Sequence, residues 1–137
     1  MVNEMMRILV AEDEKIIGLD LKRTLLKIGY EVTSIVGTGI DVIEKAELEH
    51  PDLILMDIRL NGLLDGIEAS KIISFKHKIP IIFVTALNNK ETIQRIRNSG
   101  AFGFLLKPFN EQSLRNEVEK VLEAHNSEFL PSDRSIS

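Results

Sequence analysis

Short apolar runs of β character alternate along this chain with longer stretches whose apolar residues recur at helical spacing. That alternation restricts the fold more than any other feature. Residues 6–11 read as a first strand. Residues 14–28 follow, with Ile17, Leu21, Leu25 and Ile28 on one helical stripe, and Gly29 supplies the stop, because it takes a left-handed backbone at little cost. Residues 30–36 are rich in β-branched side chains, and residues 41–49 form a short helix that ends before Pro51. Residues 53–56 are apolar without alternation, as in a strand covered on both faces. Asp65 with Glu68 then opens a helix that runs to about Lys76. Residues 79–84 are a second doubly buried strand, and Asn88 with Glu91 forms a further capping pair, for a helix ending near Gly100. Residues 102–106 make a fifth strand, and residues 111–124 a last helix with Leu114, Val118, Val121 and Leu122 on one face. Five strands alternating with five helices specify an α/β fold, a parallel sheet with helices on both faces.

Composition narrows the function. The 137 residues contain no cysteine, which excludes a disulfide framework, a thiolate zinc site and a cysteine nucleophile. A net charge of −4 argues against direct nucleic-acid binding through phosphate contacts. No apolar run approaches the roughly 18 residues of a membrane span, and the start, Met1-Val2-Asn3-Glu4, lacks the layout of a secretory signal. The expectation is a cytoplasmic protein with one domain over residues 1–125, followed by a polar, Ser-rich tail or linker stub over residues 126–137.

Ligands of open α/β sheets bind outside the carboxyl ends of the strands. There the first strand ends in Glu12-Asp13, the third in Asp57, the fourth in Thr85 and the fifth in Lys107. Two carboxylates about 5 Å apart at an effective dielectric of about 20 repel by roughly 3 kcal/mol. A site holding Glu12, Asp13 and Asp57 therefore needs positive charge. Lys107 supplies one, and a divalent cation is the natural second source; ligands that are all oxygen favour Mg²⁺. Thr85 adds a neutral donor suited to a phosphoryl oxygen. Each residue alone has an ordinary reading: an acid capping the next helix, a strand threonine, a lysine snorkelling to solvent. Their joint occurrence at successive strand ends reads as a phosphoryl-handling site.

These segments resemble the receiver domain of two-component response regulators. The carriers are Ile8-Leu9-Val10-Ala11-Glu12-Asp13-Glu14, Leu53-Ile54-Leu55-Met56-Asp57, Phe83-Val84-Thr85-Ala86 and Leu105-Leu106-Lys107-Pro108-Phe109. The resemblance implies a flavodoxin-like, doubly wound sheet of strand order 2-1-3-4-5. It implies that Asp57 accepts a phosphoryl group from a histidine kinase or histidine phosphotransfer protein, without turnover of a separate substrate. It also implies that Asp13, Asp57 and the Arg59 backbone carbonyl bind Mg²⁺, with Glu12 acting directly or through water. Lys107 would neutralise phosphoryl charge, Thr85 would bond a phosphoryl oxygen, and the Lys107-Pro108 bond would be cis. Phe104 stands where receivers place a switching aromatic; ordinary core packing is its plainer reading.

Two stretches depart from the family's pattern. After Asp57 the chain reads Ile58-Arg59-Leu60-Asn61-Gly62-Leu63-Leu64-Asp65-Gly66, one residue longer than usual and with Asn61 where proline is common. Arg59 and Leu87 lie where family members tune phosphoryl lifetime, and together they are expected to hinder attack by water. Ile16 and Leu19, beside the acidic pocket, are candidates for docking the phosphodonor. The fourth helix, with Lys90, Arg95 and Arg97, belongs to the helix 4–strand 5–helix 5 face that serves such domains for output or homodimers.

Competing functions fit less well. A haloacid-dehalogenase-like Mg²⁺ phosphatase wants a second Asp where this chain has Arg59. A flavin-binding domain wants a Ser/Thr/Gly-rich phosphate loop where it has Glu12-Asp13-Glu14. A phosphate-independent pseudo-receiver would not need the full set of Asp57, Thr85 and Lys107.

Overall fold

The computed structural model describes residues 5–86 and 88–128. Its elements run β1 (Arg7–Ala11), α1 (Lys15–Ile28), β2 (Glu31–Val36), α2 (Gly39–Glu49), β3 (Leu53–Met56), α3 (Gly66–Lys76), β4 (Ile81–Thr85), α4 (Lys90–Asn98), β5 (Gly103–Leu106) and α5 (Glu111–Glu128). The strands form one parallel sheet in the order β2-β1-β3-β4-β5. This is the doubly wound α/β architecture expected from the sequence.

The sheet is buried on both faces, and its period of two sorts the side chains. Leu9, Ala11, Ile54, Met56, Ile81 and Phe83 join one core, closed by Val42, Ile67, Ile73 and Ile96 of α2, α3 and α4. The intervening Ile8, Val10, Leu53, Leu55, Ile82 and Val84 join a second, closed by Leu21 and Leu25 of α1 and by Leu114, Val118 and Val121 of α5. Two burials per strand explain why β1, β3 and β4 show no polar alternation.

Element ends follow local chemistry. Gly29 closes α1 with φ 117°, and Asp65 and Glu68 form the reciprocal capping box of α3. Several expectations need correction. The cap of α4 is Asn89, whose side chain accepts from the Thr92 N–H at 2.8 Å, rather than Asn88; the later start turns Thr92 and Ile96 to the core. Strand β4 begins at Ile81, because Pro80 has no N–H to donate to a ladder. Ile17 leaves the α1 stripe for the surface, and Gly18 takes its buried place, since a Cβ there would meet the Ile35 side chain at 2.9 Å. Helix α5 continues to Glu128 instead of ending near Ala124, past the expected domain boundary.

Helix α2 starts at Gly39, two residues before the expected Asp41, because the Thr38 hydroxyl accepts from the Asp41 N–H at 3.0 Å. Among the described residues, no helix is long and apolar enough to cross a membrane.

Candidate functional site

The register of the sheet brings the strand ends level: Ala11 pairs with Met56, Met56 with Phe83, and Thr85 with Leu106. Continuing the alternation one step past each strand places Glu12, Asp57 and Lys107 on the α1/α5 side, in phase with Val10, Leu55 and Leu105. They meet there. Lys107 Nζ donates to Glu12 Oε1 at 2.9 Å and to Asp57 Oδ2 at 3.0 Å. The other oxygens of both acids take backbone donors, Glu14 N–H to Glu12 Oε2 at 3.1 Å and Arg59 N–H to Asp57 Oδ1 at 3.1 Å. Glu12, Asp13 and Asp57 each offer a carboxylate oxygen, all within 4.8 Å of one another.

Main-chain bonds hold the frame. Glu12 N–H donates to Val36 O at 2.8 Å, Asp57 N–H to Ala11 O at 2.9 Å, and Lys107 N–H to Thr85 O at 2.9 Å. Thr85 is 1% exposed, and the Lys107-Pro108 peptide is cis. A cleft of about 410 Å³, lined by Asp13, Asp57, Arg59, Thr85, Ala86 and Lys107 among others, opens over these groups.

The electrostatics are those of a site short of positive charge. Burial pushes the Glu12 carboxyl above its ordinary value, and the hydrogen bond from Lys107 only partly offsets this. Burial alone would lower the Lys107 ammonium, but its hydrogen bonds to Glu12 and Asp57 outweigh that and raise it. Lys107 is therefore held as a cation. Three carboxylates face one ammonium, which leaves two negative charges in excess, the charge one divalent cation would balance. The donor set, carboxylate oxygens beside an open cleft, fits Mg²⁺.

Of the other residues singled out, Arg59 lies at the cleft with its backbone bonded to Asp57. Phe104 is half-buried against the α2–α4 core and lines a groove with Ile96 and Glu117 between α4 and α5. Leu87 lies outside the described residues. Ile16 (83% exposed) and Leu19 are surface residues of α1.

Two contacts that the sequence did not reveal, at Gly66 and Asn61, also shape the site. Gly66 has no room for a side chain, because a Cβ would run into the Asp57 carbonyl oxygen, and its N–H donates to Ile58 O at 2.7 Å. The longer loop reaches toward β2, where Asn61 N–H donates to Gly37 O at 3.1 Å. A glycine directly after a capping aspartate was the visible signal for Gly66; the reach of Asn61 left none.

Fold and site together define a doubly wound α/β protein that carries a carboxylate–lysine centre at the carboxyl edge of its sheet. Residues 8–119 match the response regulator receiver domain, and the chain belongs to that family, the receiver domains of two-component systems. It is 39% identical over 113 residues to the transcriptional regulatory protein PdtaR of Mycobacterium tuberculosis, a match covering 82% of this chain and 55% of that protein. The chain thus spans about half the length of that curated relative. It is 32% identical to sporulation initiation phosphotransferase F of Bacillus subtilis, covering 89% of this chain and 96% of that one. The solved receiver domain of a modulated diguanylate cyclase from Desulfovibrio desulfuricans superposes with a TM-score of 0.85 at 30% identity, over 91% of this chain and 99% of that one.

Proposed function

We propose that this chain is a phosphorylation switch in which Asp57 accepts a phosphoryl group from a phosphohistidine of a histidine kinase or phosphotransfer protein. The observation that carries this reading is Lys107 Nζ, shared between Glu12 and Asp57 at 2.9 and 3.0 Å beside an acidic, open cleft. A carboxylate oxygen of Asp57 attacks phosphorus as the donor's P–N bond breaks. The bonding pair leaves with the imidazole nitrogen, which takes a proton from solvent. Phosphoryl transfer of this kind depends on positioning and charge neutralisation rather than on a general base.

Lys107 follows the charge, moving from a carboxylate oxygen of Asp57 to a phosphoryl oxygen, and the Thr85 hydroxyl donates to another. Asp13, Glu12, Asp57 and the Arg59 carbonyl would hold Mg²⁺, which when bound offsets phosphoryl charge and fixes its oxygens. The inward draw on Thr85 frees space that the Phe104 ring fills, altering the α4–β5–α5 face; that face is our candidate for output contacts or a homodimer. Arg59, at the mouth of the cleft, and Leu87 limit access of water to the acyl phosphate. The chain performs self-phosphorylation and autodephosphorylation only.

The test is intact-mass measurement after incubation with acetyl phosphate and Mg²⁺. The expected result is a gain of one phosphoryl group, lost in Asp57→Ala and on removing Mg²⁺ with EDTA. An unchanged mass in the wild type, or a gain that survives in Asp57→Ala, overturns the assignment.

A further inference from the structure

Arg95 reaches from α4 across to the start of α3, where its Nη2 lies 2.8 Å from Asp65 Oδ2. Asp65 is already committed on its other side. Its Oδ1 accepts from the Glu68 N–H, and its own N–H donates to Glu68 Oε1, each at 2.8 Å. The next residue, Gly66, is bonded to Ile58 O and lies directly against the Asp57 carbonyl. The segment from Asp57 to Gly66 is thus a closed loop with its far end secured at the α3 cap, at Ile58 and at Arg95. The near half is held by Ile58 in the core, by Leu60 packed against it and by the Asn61 N–H bond to Gly37 O, whereas Gly62 and Leu63 are exposed, Leu63 at 91%. The far half of this loop, from Gly62 to Gly66, rests on the attachments at its end, Arg95 among them.

We propose that Arg95 is a positioning residue for the acceptor loop: by holding Asp65 it fixes the segment on which Asp57 and Arg59 present their oxygens, and it ties α4 to the metal and phosphoryl site. The inference rests on the reading of that site given above. Coupling is reciprocal, so whatever Arg95 contributes to binding at Asp57, binding there returns to the Arg95–Asp65 pair. Helix α4 then has a link to the acceptor that does not pass through Thr85 and Phe104. Both side chains are partly exposed, so the effect is a few-fold and is screened by salt.

The sign of the effect makes the test decisive. Removing a positive charge near a cation site should, by charge alone, tighten Mg²⁺ binding; loss of positioning should weaken it. The whole chain is titrated with MgCl₂ and followed by the amide NMR signals of residues 57–66, in wild type, Arg95→Ala, Arg95→Lys and Lys71→Ala, the last removing one exposed charge from α3. Hydrogen exchange at Gly66 is read in the metal-free protein. Arg95→Ala is expected to weaken Mg²⁺ binding about three-fold and to speed exchange at Gly66 by a similar factor. Arg95→Lys recovers most of both, Lys71→Ala weakens neither, and 1 M NaCl erases the difference. Mg²⁺ binding in Arg95→Ala at or above wild-type strength, with unchanged exchange at Gly66, overturns the proposal. Failure of the wild type to gain phosphate sinks the acceptor reading instead, and exchange at Gly66 still decides the role of Arg95.

Discussion

The two ends of the sheet use polar groups in opposite ways. At the amino-terminal edge Arg7, His50 and Asp52 pair with one another: Arg7 N–H donates to Asp52 Oδ2 at 2.8 Å, Arg7 Nη1 to His50 O at 3.0 Å, and Asp52 N–H to Arg7 O at 2.7 Å. His50 closes α2 in the left-handed region at φ 47°, and His77 closes α3 while its ring meets Glu47 at 3.2 Å. At the carboxyl edge Glu12 and Asp57 share the ammonium of Lys107, and the Asp13 carboxylate lies close to both acids. The Arg7–Asp52 pair is balanced in charge; the carboxyl edge holds surplus negative charge in partial burial. The same backbone ladder supports both, so the difference lies in side chains alone. It teaches that the carboxyl edge is kept short of its electrostatic optimum, the condition that leaves it responsive to a cation and a phosphoryl group.

The hardest way to break this contrast is to disturb the frame beneath the acids. In Gly66→Ala the new Cβ would collide with the Asp57 carbonyl oxygen, a backbone atom that a side-chain rotation cannot clear. A loss of about 2–3 kcal/mol of stability is expected in urea unfolding. Hydrogen exchange should show the loosening at Asp57–Gly66, with the amides of Arg7 and Asp52 keeping their relative protection. A variant within about 0.5 kcal/mol of wild type, the range of ordinary surface changes, would show that the loop yields and that the frame is not tight there.

How much of this was legible in the sequence depended on the range of the interaction. The elements were readable because each strand's double burial and each helix's stripe are local patterns, as at Leu53–Met56 and at Leu114, Val118 and Val121. The convergence of Glu12, Asp57 and Lys107 was readable because strand ends in a parallel sheet come level. Ile17 was misplaced because its periodicity is right, yet the Ile35 side chain fills the space that only Gly18 leaves open. The choice between Asn88 and Asn89 as cap turned on one step of helix phase. The Arg95–Asp65 pair and the bond from Asn61 to Gly37 O join residues far apart in sequence through side-chain reach and loop path, which no local pattern encodes.

A gentler change should sharpen the contrast by relieving it. Burial raises the Glu12 carboxyl above its ordinary value of 4.5, so the folded state resists its ionisation. The penalty is absent below that ordinary value, builds as pH rises through the interval up to the folded-state value, and is fully present above it. In metal-free buffer at pH 7, Glu12→Gln is therefore expected to be about 1 kcal/mol more stable than wild type. The gain should close as the pH falls toward 4.5. The same variant should bind Mg²⁺ more weakly. Urea unfolding across this range checks the first point, and a gain that persists unchanged into acid would assign it to something other than relief of the buried charge.

The smallest expected effect lies at the amino-terminal edge. Asp52→Ala deletes the acceptor for the Arg7 N–H, which is exposed enough to be taken over by water. A net intramolecular hydrogen bond is worth about 1 kcal/mol, and exposure reduces that, so a loss of about 0.5 kcal/mol is expected. The informative part is what should stay fixed. Arg7 begins the strand that ends beside Glu12, so a purely mechanical sheet would pass the disturbance along β1 to the site. If stability and site chemistry are instead divided between the two edges, Mg²⁺ affinity and the rate of mass gain with acetyl phosphate should match wild type. A shift in either by more than two-fold, about 0.4 kcal/mol by the usual conversion, would show that the amino-terminal edge tunes the site and that the two ends are not separable.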